Sequence, residues 1–251
     1  MSNVRVVVVG ASTGLGRCLA IGLGQRGASV ALLARRESLL ADAAREAGPE
    51  SFAIPCDVTD EASGRSAIGQ AAERLGGIDA VIISAGIGEL RRIEELDAAT
   101  WQRVFATNVV GASLITAAAL PHLKESGGMV AFLSSVSASL TAPWPGLASY
   151  TVTKAALDKL VEAWRAEHPE VGFTRLIIGE CAGGEGEGIS QLTASWDMEL
   201  AGELFPAWTA RGLLTDKLID VDHLVGAVDA LVRFGSSASV PTLAITPRRP
   251  I

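Results

Sequence analysis

Seven short apolar runs recur along this chain, at residues 4–9, 29–33, 52–55, 80–83, 129–134, 173–178 and 242–245. Most are apolar almost throughout and rich in β-branched residues, as expected of parallel strands buried on both faces. Between them, residues 14–26, 37–47, 61–75, 100–124, 150–167 and 222–234 carry helical periodicity. In the fifth of these, Leu157, Leu160, Val161 and Trp164 follow the i, i+3, i+4, i+7 spacing of one buried face. That helix stops at His168-Pro169, because proline drives the residue before it out of the helical region. A repeated β-α-β rhythm with right-handed crossovers gives an α/β fold. The expected architecture is one doubly wound, Rossmann-like parallel sheet of about seven strands with helices on both faces.

No linker or composition break divides residues 1–251, which therefore read as a single domain. Its least regular part is an insertion at about residues 180–216, opening with the run Gly183-Gly184-Glu185-Gly186-Glu187-Gly188. Trp196, Trp208 and one short helix follow. A segment placed after a strand's carboxyl end lies where such folds bind ligands.

The net charge of -7 and the pI near 5.1 argue against a nucleic-acid or anionic-membrane partner. Cys18, Cys56 and Cys181 are odd in number, lie far apart and form no CxxC, so neither a disulfide framework nor a metal site is expected. The apolar run 6–9 is too short for a signal peptide and leads straight into Gly10. Two charge-free stretches, 104–123 and 126–153, approach the length of a membrane span. The first is interrupted by Thr107, Asn108, Ser113, Thr116 and Pro121, and the second by Gly, Ser and two prolines. Both read as buried core or subunit contact, and the expected setting is cytoplasmic, without a membrane.

Directly after the first run comes Gly10-Ala11-Ser12-Thr13-Gly14-Leu15-Gly16, which opens the first helix. Glycines here let the backbone turn sharply and approach a pyrophosphate, whose charge then sits at the helix N-terminus. First strand, first turn and first helix is the position a dinucleotide site requires. The second strand ends in Leu33-Ala34-Arg35-Arg36. A carboxylate there would hold the ribose 2′-hydroxyl of NAD, whereas arginine accommodates a 2′-phosphate, so NADP(H) is favoured over NAD(H). Asp57, after the third strand, suits either an adenine amino group or a turn.

Tyr150, the sole tyrosine, is followed four residues later by Lys154, one helical turn along the same face. A free phenol titrates at about 10, and bringing it to about 7 needs roughly 4 kcal/mol of differential stabilisation. A neighbouring cation works in that direction and would let the phenol exchange a proton with an alcohol or a carbonyl. Asn108 stands in an otherwise apolar helix, where its amide needs partners: a structural hydrogen bond or an ordered water. The fifth run ends in Ser134-Ser135, with Ser137 close behind, and a strand-end hydroxyl can hold a substrate oxygen.

In order along the chain, these residues resemble the short-chain dehydrogenase/reductase superfamily. The GxxxGxG turn, Asp57-Val58, Ser84-Ala85-Gly86, Asn108, the Ser-Ser strand end, Pro145-Gly146-Leu147-Ala148-Ser149 and YxxxK carry the likeness. The resemblance implies an NADP(H)-dependent oxidoreductase acting on a secondary alcohol or ketone, built as a homotetramer or homodimer. It implies Tyr150 as general acid or base, Lys154 as the group that lowers its pKa and holds the nicotinamide ribose, and Ser135 on the substrate oxygen. Asn108 would fix a water linking Lys154 to solvent. Cofactor contacts would come from Gly10, Ser12, Thr13, Gly14, Leu15 and Gly16, from Arg35, Arg36, Asp57 and Val58, and from Ser84, Ala85 and Gly86. Asn108, Tyr150, Lys154 and Gly179 complete that set.

Three departures stand out. The family's Asn-Asn-Ala-Gly reads Ile83-Ser84-Ala85-Gly86, and its Pro-Gly reads Ile178-Gly179. Two extra residues separate Ser135 from Tyr150, so counting back from the tyrosine selects Ser137 while the strand end selects Ser135. The strand end is the firmer register, since insertions fall more readily in loops. The rival reading is a non-catalytic dinucleotide-binding protein, a sensor or structural subunit.

Overall fold

A computed structural model describes residues 3–182, 193 and 195–248. Seven of its strands are β1 (Arg5–Val9), β2 (Ser29–Ala34), β3 (Ser51–Pro55), β4 (Ala80–Ile83), β5 (Met129–Ser135), β6 (Gly172–Ile178) and β9 (Thr242–Ile245). They form one parallel sheet in the order β3-β2-β1-β4-β5-β6-β9. Two further strands, β7 (Cys181–Ala182) and β8 (Ile219–Asp220), make a short parallel pair outside it. From β1 the chain steps outward to β2 and β3, then crosses back to β4 and builds the other half. That reversal opens a crevice at the carboxyl ends of β1 and β4. Val9 pairs with both Leu33 and Ile83, so the three central strands end level there.

Alternate residues of each strand face opposite ways and fill two cores. Val6, Val8, Val30 and Leu32 pack beneath α1 (Gly14–Gln25), α2 (Glu37–Ala47) and α9 (Val221–Val232). Val7, Val9, Ala31 and Leu33 face α3 (Glu61–Leu75), α5 (Ala112–Ser126) and α7 (Ala148–Glu167). With both faces covered, the central strands have no solvated side, which is why their sequences lack polar alternation.

The expected helix at 100–124 is longer and less regular. It begins as α4 (Ala98–Phe105), passes through a π-helical segment, Ala106–Gly111, and continues as α5. By length and composition Ala98–Ser126 could cross a bilayer. Here Val104, Ile115, Ala119 and Leu123 are buried, and the helix packs against α3 and α7. Sequence periodicity gives no warning of α6 (Val136–Ser139), a single turn capped by Ser135. The short helix expected in the insertion is α8 (Met198–Ala210), with Asp197 accepting from the Glu199 and Leu200 backbones. The glycine run 183–188 lies outside the described residues.

At the sheet's amino end, Arg5 clamps Asp79. The Arg5 backbone N–H and Nε each donate to Asp79 Oδ2 at 2.9 Å, and Nη2 donates to Oδ1 at 2.6 Å. Burial pushes the Asp79 carboxyl upward, but the Arg5 bonds outweigh it and hold the group below its usual 3.8. A carboxyl depressed in the native state contributes stability above its unfolded pKa and loses it as pH falls through the native one. Asp79→Asn is expected to be less stable than wild type at neutral pH and to show a weaker decline below pH 3.8. Urea unfolding across that range checks this, and equal stability of the two proteins at neutral pH would dismiss the clamp.

Candidate active site

The chain leaves β1 and turns through Gly10, whose φ of 86° suits a residue without Cβ. Gly10 N–H donates to the Leu33 carbonyl at 2.7 Å, tying the turn to β2. A Cβ on Gly10 would stand 2.5 Å from Ala85 N, and one on Gly16 would stand 2.3 Å from the Gly10 carbonyl oxygen. Backbone therefore approaches backbone closely on both sides of the turn. The N-cap of α1, Thr13, makes no side-chain cap bond, and the first turn of the helix carries no carboxylate. The positive end of α1 thus remains open to an anion.

One cleft runs from this turn across the sheet's carboxyl edge. The turn supplies Gly10, Ser12, Thr13, Gly14 and Leu15, and the end of β2 supplies Arg35 and Arg36. Asp57 and Val58 follow β3, while Ser84, Ala85 and Gly86 follow β4. Tyr150 and Lys154 close the far end from α7. Arg36 Nη2 donates to Ser12 Oγ at 3.0 Å and also to Thr13 Oγ1, so this guanidinium is held over the phosphate turn. Burial, and then Arg35, lower its pKa. Arg35 is exposed and makes no hydrogen bond or ion pair among the described residues. Asp57 serves a turn: its Oδ1 accepts from Thr59 N–H at 2.9 Å and Thr59 Oγ1 at 2.7 Å. Burial raises that carboxyl, and the Thr59 bonds bring it below its ordinary range.

At the far end, Ser135 is the serine that bears on the half-buried Tyr150, where it opposes the rise of the phenol pKa. Ser137 lies behind: Ser135 Oγ meets Ser137 Oγ at 3.0 Å and accepts from Ser137 N–H at 3.2 Å. Of the two candidate serines, Ser135 is the one on the phenol. Lys154 is 4% exposed and donates from Nζ to the Leu133 carbonyl at 2.6 Å. Its ammonium stands 5.6 Å from the centroid of the Tyr150 ring, not on the phenol oxygen. The expected lowering of the Tyr150 pKa is therefore absent from the protein's own electrostatics. Burial pushes the phenol up to about 12, with Ser135 opposing, and burial brings Lys154 down to about 8. Desolvation of the charged forms outweighs the attraction between them.

Three residues expected against the cofactor do not line the cleft. Gly16 is spent on the close packing of α1 against the turn. Gly179 packs on Pro247, whose Cδ would lie 2.8 Å from an added Cβ. Asn108 is 1% exposed, and its amide is occupied within the protein. Its Oδ1 accepts from Ile87 N–H at 2.8 Å, and its Nδ2 donates to Ile87 O at 2.8 Å and Thr153 Oγ1 at 2.9 Å. It clasps the segment following β4 to α7 from within the π segment, an irregularity common near functional sites. Sequence reading missed Ile87, Thr107 and Ile178 in the cleft wall, and Leu133, which acts through its backbone carbonyl.

Comparison with known proteins follows from this geometry. Residues 4–181 match the family described as short chain dehydrogenase. The chain belongs to the short-chain dehydrogenase family. Its sheet, glycine turn and YxxxK pair accord with that family. An alcohol dehydrogenase from the archaeon Thermococcus sibiricus, complexed with 5-hydroxy-NADP, matches over 100% of both chains with a TM-score of 0.79 and 25% identity. A 3-ketoacyl-(acyl-carrier-protein) reductase from Brucella melitensis, complexed with NADH, shares the fold. It has a TM-score of 0.80, covers 98% of this chain and 97% of that one, and is 24% identical. The 11-beta-hydroxysteroid dehydrogenase A of Sesamum indicum is 34% identical over 180 residues, covering 69% of this chain and 51% of that protein. The 3-ketodihydrosphingosine reductase of Bos taurus is 32% identical over 176 residues, covering 66% and 52%. The chain spans about half the length of the curated relatives it matches.

Removing the Asn108 amide would strand the Ile87 N–H and carbonyl inside the protein. Asn108→Ala in this short-chain dehydrogenase is expected to lose about 2–4 kcal/mol of stability, measured by denaturant unfolding. A loss below about 1 kcal/mol would mean that water replaces the amide and the clasp holds little.

Proposed function

We propose that this chain is an NADP(H)-dependent oxidoreductase acting on an apolar ketone or secondary alcohol, with Tyr150 moving the proton. The observation that carries this reading is Tyr150 and Lys154 together at one end of a cleft whose other end is the open N-terminus of α1, with Ser135 beside the phenol. A dinucleotide suits that cleft. The glycine turn admits a pyrophosphate, and Arg35 and Arg36 would take a 2′-phosphate, with no carboxylate at the end of β2 to receive a bare ribose. When bound, the nicotinamide supplies or accepts the hydride. Ser135 would hold the substrate oxygen against Tyr150. In reduction the phenol gives its proton to that oxygen, and in oxidation it takes the proton back. A phenol kept protonated by burial is ready for the first of these.

The apolar substrate class is supported by the surroundings of Tyr150, which packs against a buried apolar cluster. That cluster contains Leu90, Leu147, Leu204 and Trp208, with Trp144 and Trp196 against them. Trp144 and Trp208 meet at 5.3 Å between ring centroids, and Trp208 Nε1 is satisfied by the Pro145 carbonyl at 3.0 Å. Names among the relatives, a hydroxysteroid dehydrogenase and a ketodihydrosphingosine reductase, agree with that class. Val110 and Val152 stand 51% and 44% exposed, which supports a symmetric contact between copies of the chain in a homodimer or homotetramer.

Tyr150→Phe is expected to lower turnover by roughly 10²–10⁴-fold while NADPH binding stays within about threefold of wild type. Retained turnover would remove Tyr150 from its assigned role. Clear NADPH binding by the wild type with no turnover across a panel of apolar ketones would favour the non-catalytic reading instead. Fluorescence titration is expected to show NADPH binding more tightly than NADH, and Arg36→Ala to weaken NADPH by roughly tenfold or more. Tighter NADH binding would overturn the assignment of the arginines.

A further inference from the structure

Tyr150, Lys154 and Asp158 occupy successive turns of α7, four residues apart along one stripe. The third has no part in the chemistry described above, yet it is 6% exposed, nearly as deeply buried as Lys154 at 4%. Neither Asp158 oxygen accepts a well-formed hydrogen bond among the described residues, and the neighbouring Ser134 hydroxyl is likewise without one. A carboxylate stripped of water and given no donors is costly, and removing it from a shared site with an opposite charge is costlier still. Its presence in the core therefore calls for a buried cation nearby.

Two cations face it. Arg175, from β6, is already engaged: Nη1 reaches Glu162 Oε1 at 3.3 Å, and Nε and Nη2 reach Thr242 Oγ1 at 3.2 and 3.0 Å. Lys154 has no carboxylate in hydrogen-bond contact, and the Leu133 carbonyl takes one of the three ammonium donors. Ser134, which faces Asp158 from β5, is the residue next to Leu133 and lines the cleft. Ser134 and Lys154 both line the cleft, and Asp158 lies buried behind them, one turn beyond Lys154 on α7.

We propose that Asp158 is a positioning residue that supplies the counter-charge for Lys154, keeping its ammonium protonated and seated on the Leu133 carbonyl beneath the cleft. The inference rests on the proposed oxidoreductase reading, in which Lys154 would hold the nicotinamide ribose as the family resemblance implies. Its electrostatics agree. Burial is the largest influence on Lys154 and lowers it to about 8, and the charge that opposes the fall is Asp158. Asp158 is itself raised, chiefly by burial; Ser134, Arg175 and Lys154 oppose that, and Glu162 adds to it. An ammonium at this set point is charged below pH 8 and lost above it. Without the carboxylate, burial acts unopposed and the loss moves to lower pH.

The chain has four lysines, Lys124, Lys154, Lys159 and Lys217, so lysine side-chain NMR resolves the one that matters. With ¹³Cε-labelled lysine, Lys154 (assigned by the signal missing from Lys154→Arg) is expected to titrate near 8 in wild type. In Asp158→Asn its midpoint should fall by about one unit, and in Asp158→Glu it should stay near the wild-type value. An unmoved midpoint in a folded Asp158→Asn overturns the proposal. Wild-type protein labelled at the aspartate ¹³Cγ gives a test that needs no Asn variant. The Asp158 signal should be that of a carboxylate at neutral pH and shift again as Lys154 loses its proton. A protonated Asp158 at neutral pH, or no second shift, also overturns it. The alkaline limb of NADPH-dependent turnover should follow the Lys154 midpoint downward in Asp158→Asn. A shifted midpoint with an unshifted limb supports the counter-charge and refutes the assumed role of Lys154 in turnover.

Discussion

A parallel sheet covered by helices on both faces can present polar groups to a ligand only at its strand ends. Every feature of the candidate site follows from that restriction. The glycine turn leaves β1, the arginines leave β2, Asp57 leaves β3, Ser84 leaves β4 and Ser135 leaves β5, all at the carboxyl edge. The reversal of strand order beside β1 opens the crevice into which they project. α7 packs on the same face and adds Tyr150 and Lys154 from the side. The helix that bears Tyr150 and Lys154 is thereby also a core helix.

That double duty has an electrostatic consequence. An ammonium on the inner face of α7 is drawn out of water, and its own desolvation becomes the largest influence on it. The phenol one turn earlier suffers the same effect in the opposite sense. The familiar idea that a nearby lysine acidifies a tyrosine assumes that attraction exceeds desolvation. In this site it does not, because both groups are withdrawn from water and the Lys154 ammonium donates to the Leu133 carbonyl. Compensation comes from buried polar neighbours: Ser135 for the phenol and, on the inference drawn above, Asp158 for the ammonium.

The π segment Ala106–Gly111 illustrates how one polar residue shapes a wall of the site. Asn108 uses its amide to hold both backbone groups of Ile87 and the Thr153 hydroxyl. Ile87 lines the cleft, and Thr153 precedes Lys154. The asparagine therefore sets the distance between the segment after β4 and α7 without reaching the cleft surface. Gly86, beside it, lies so close that an added Cβ would be 3.4 Å from Lys154 Nζ. Both residues act on the site through spacing.

Strand runs, helical periodicity and the strand-turn-helix setting of Gly10 to Gly16 are local properties, and the sequence alone was enough to recover all seven strands of the sheet and the parallel fold. The identities of Arg35, Arg36, Tyr150, Lys154 and Ser135 were legible for the same reason: each sits at a strand end or one turn from another marked residue. Direction and partnership were not. Whether Ser135 or Ser137 neighbours Tyr150, that Asn108, Gly16 and Gly179 turn to packing, and that Asp158 is buried all depend on groups distant in the chain. Desolvation and hydrogen-bond geometry are properties of the assembled interior. They decide a residue's role only once the sheet, α7 and the π segment have closed around it.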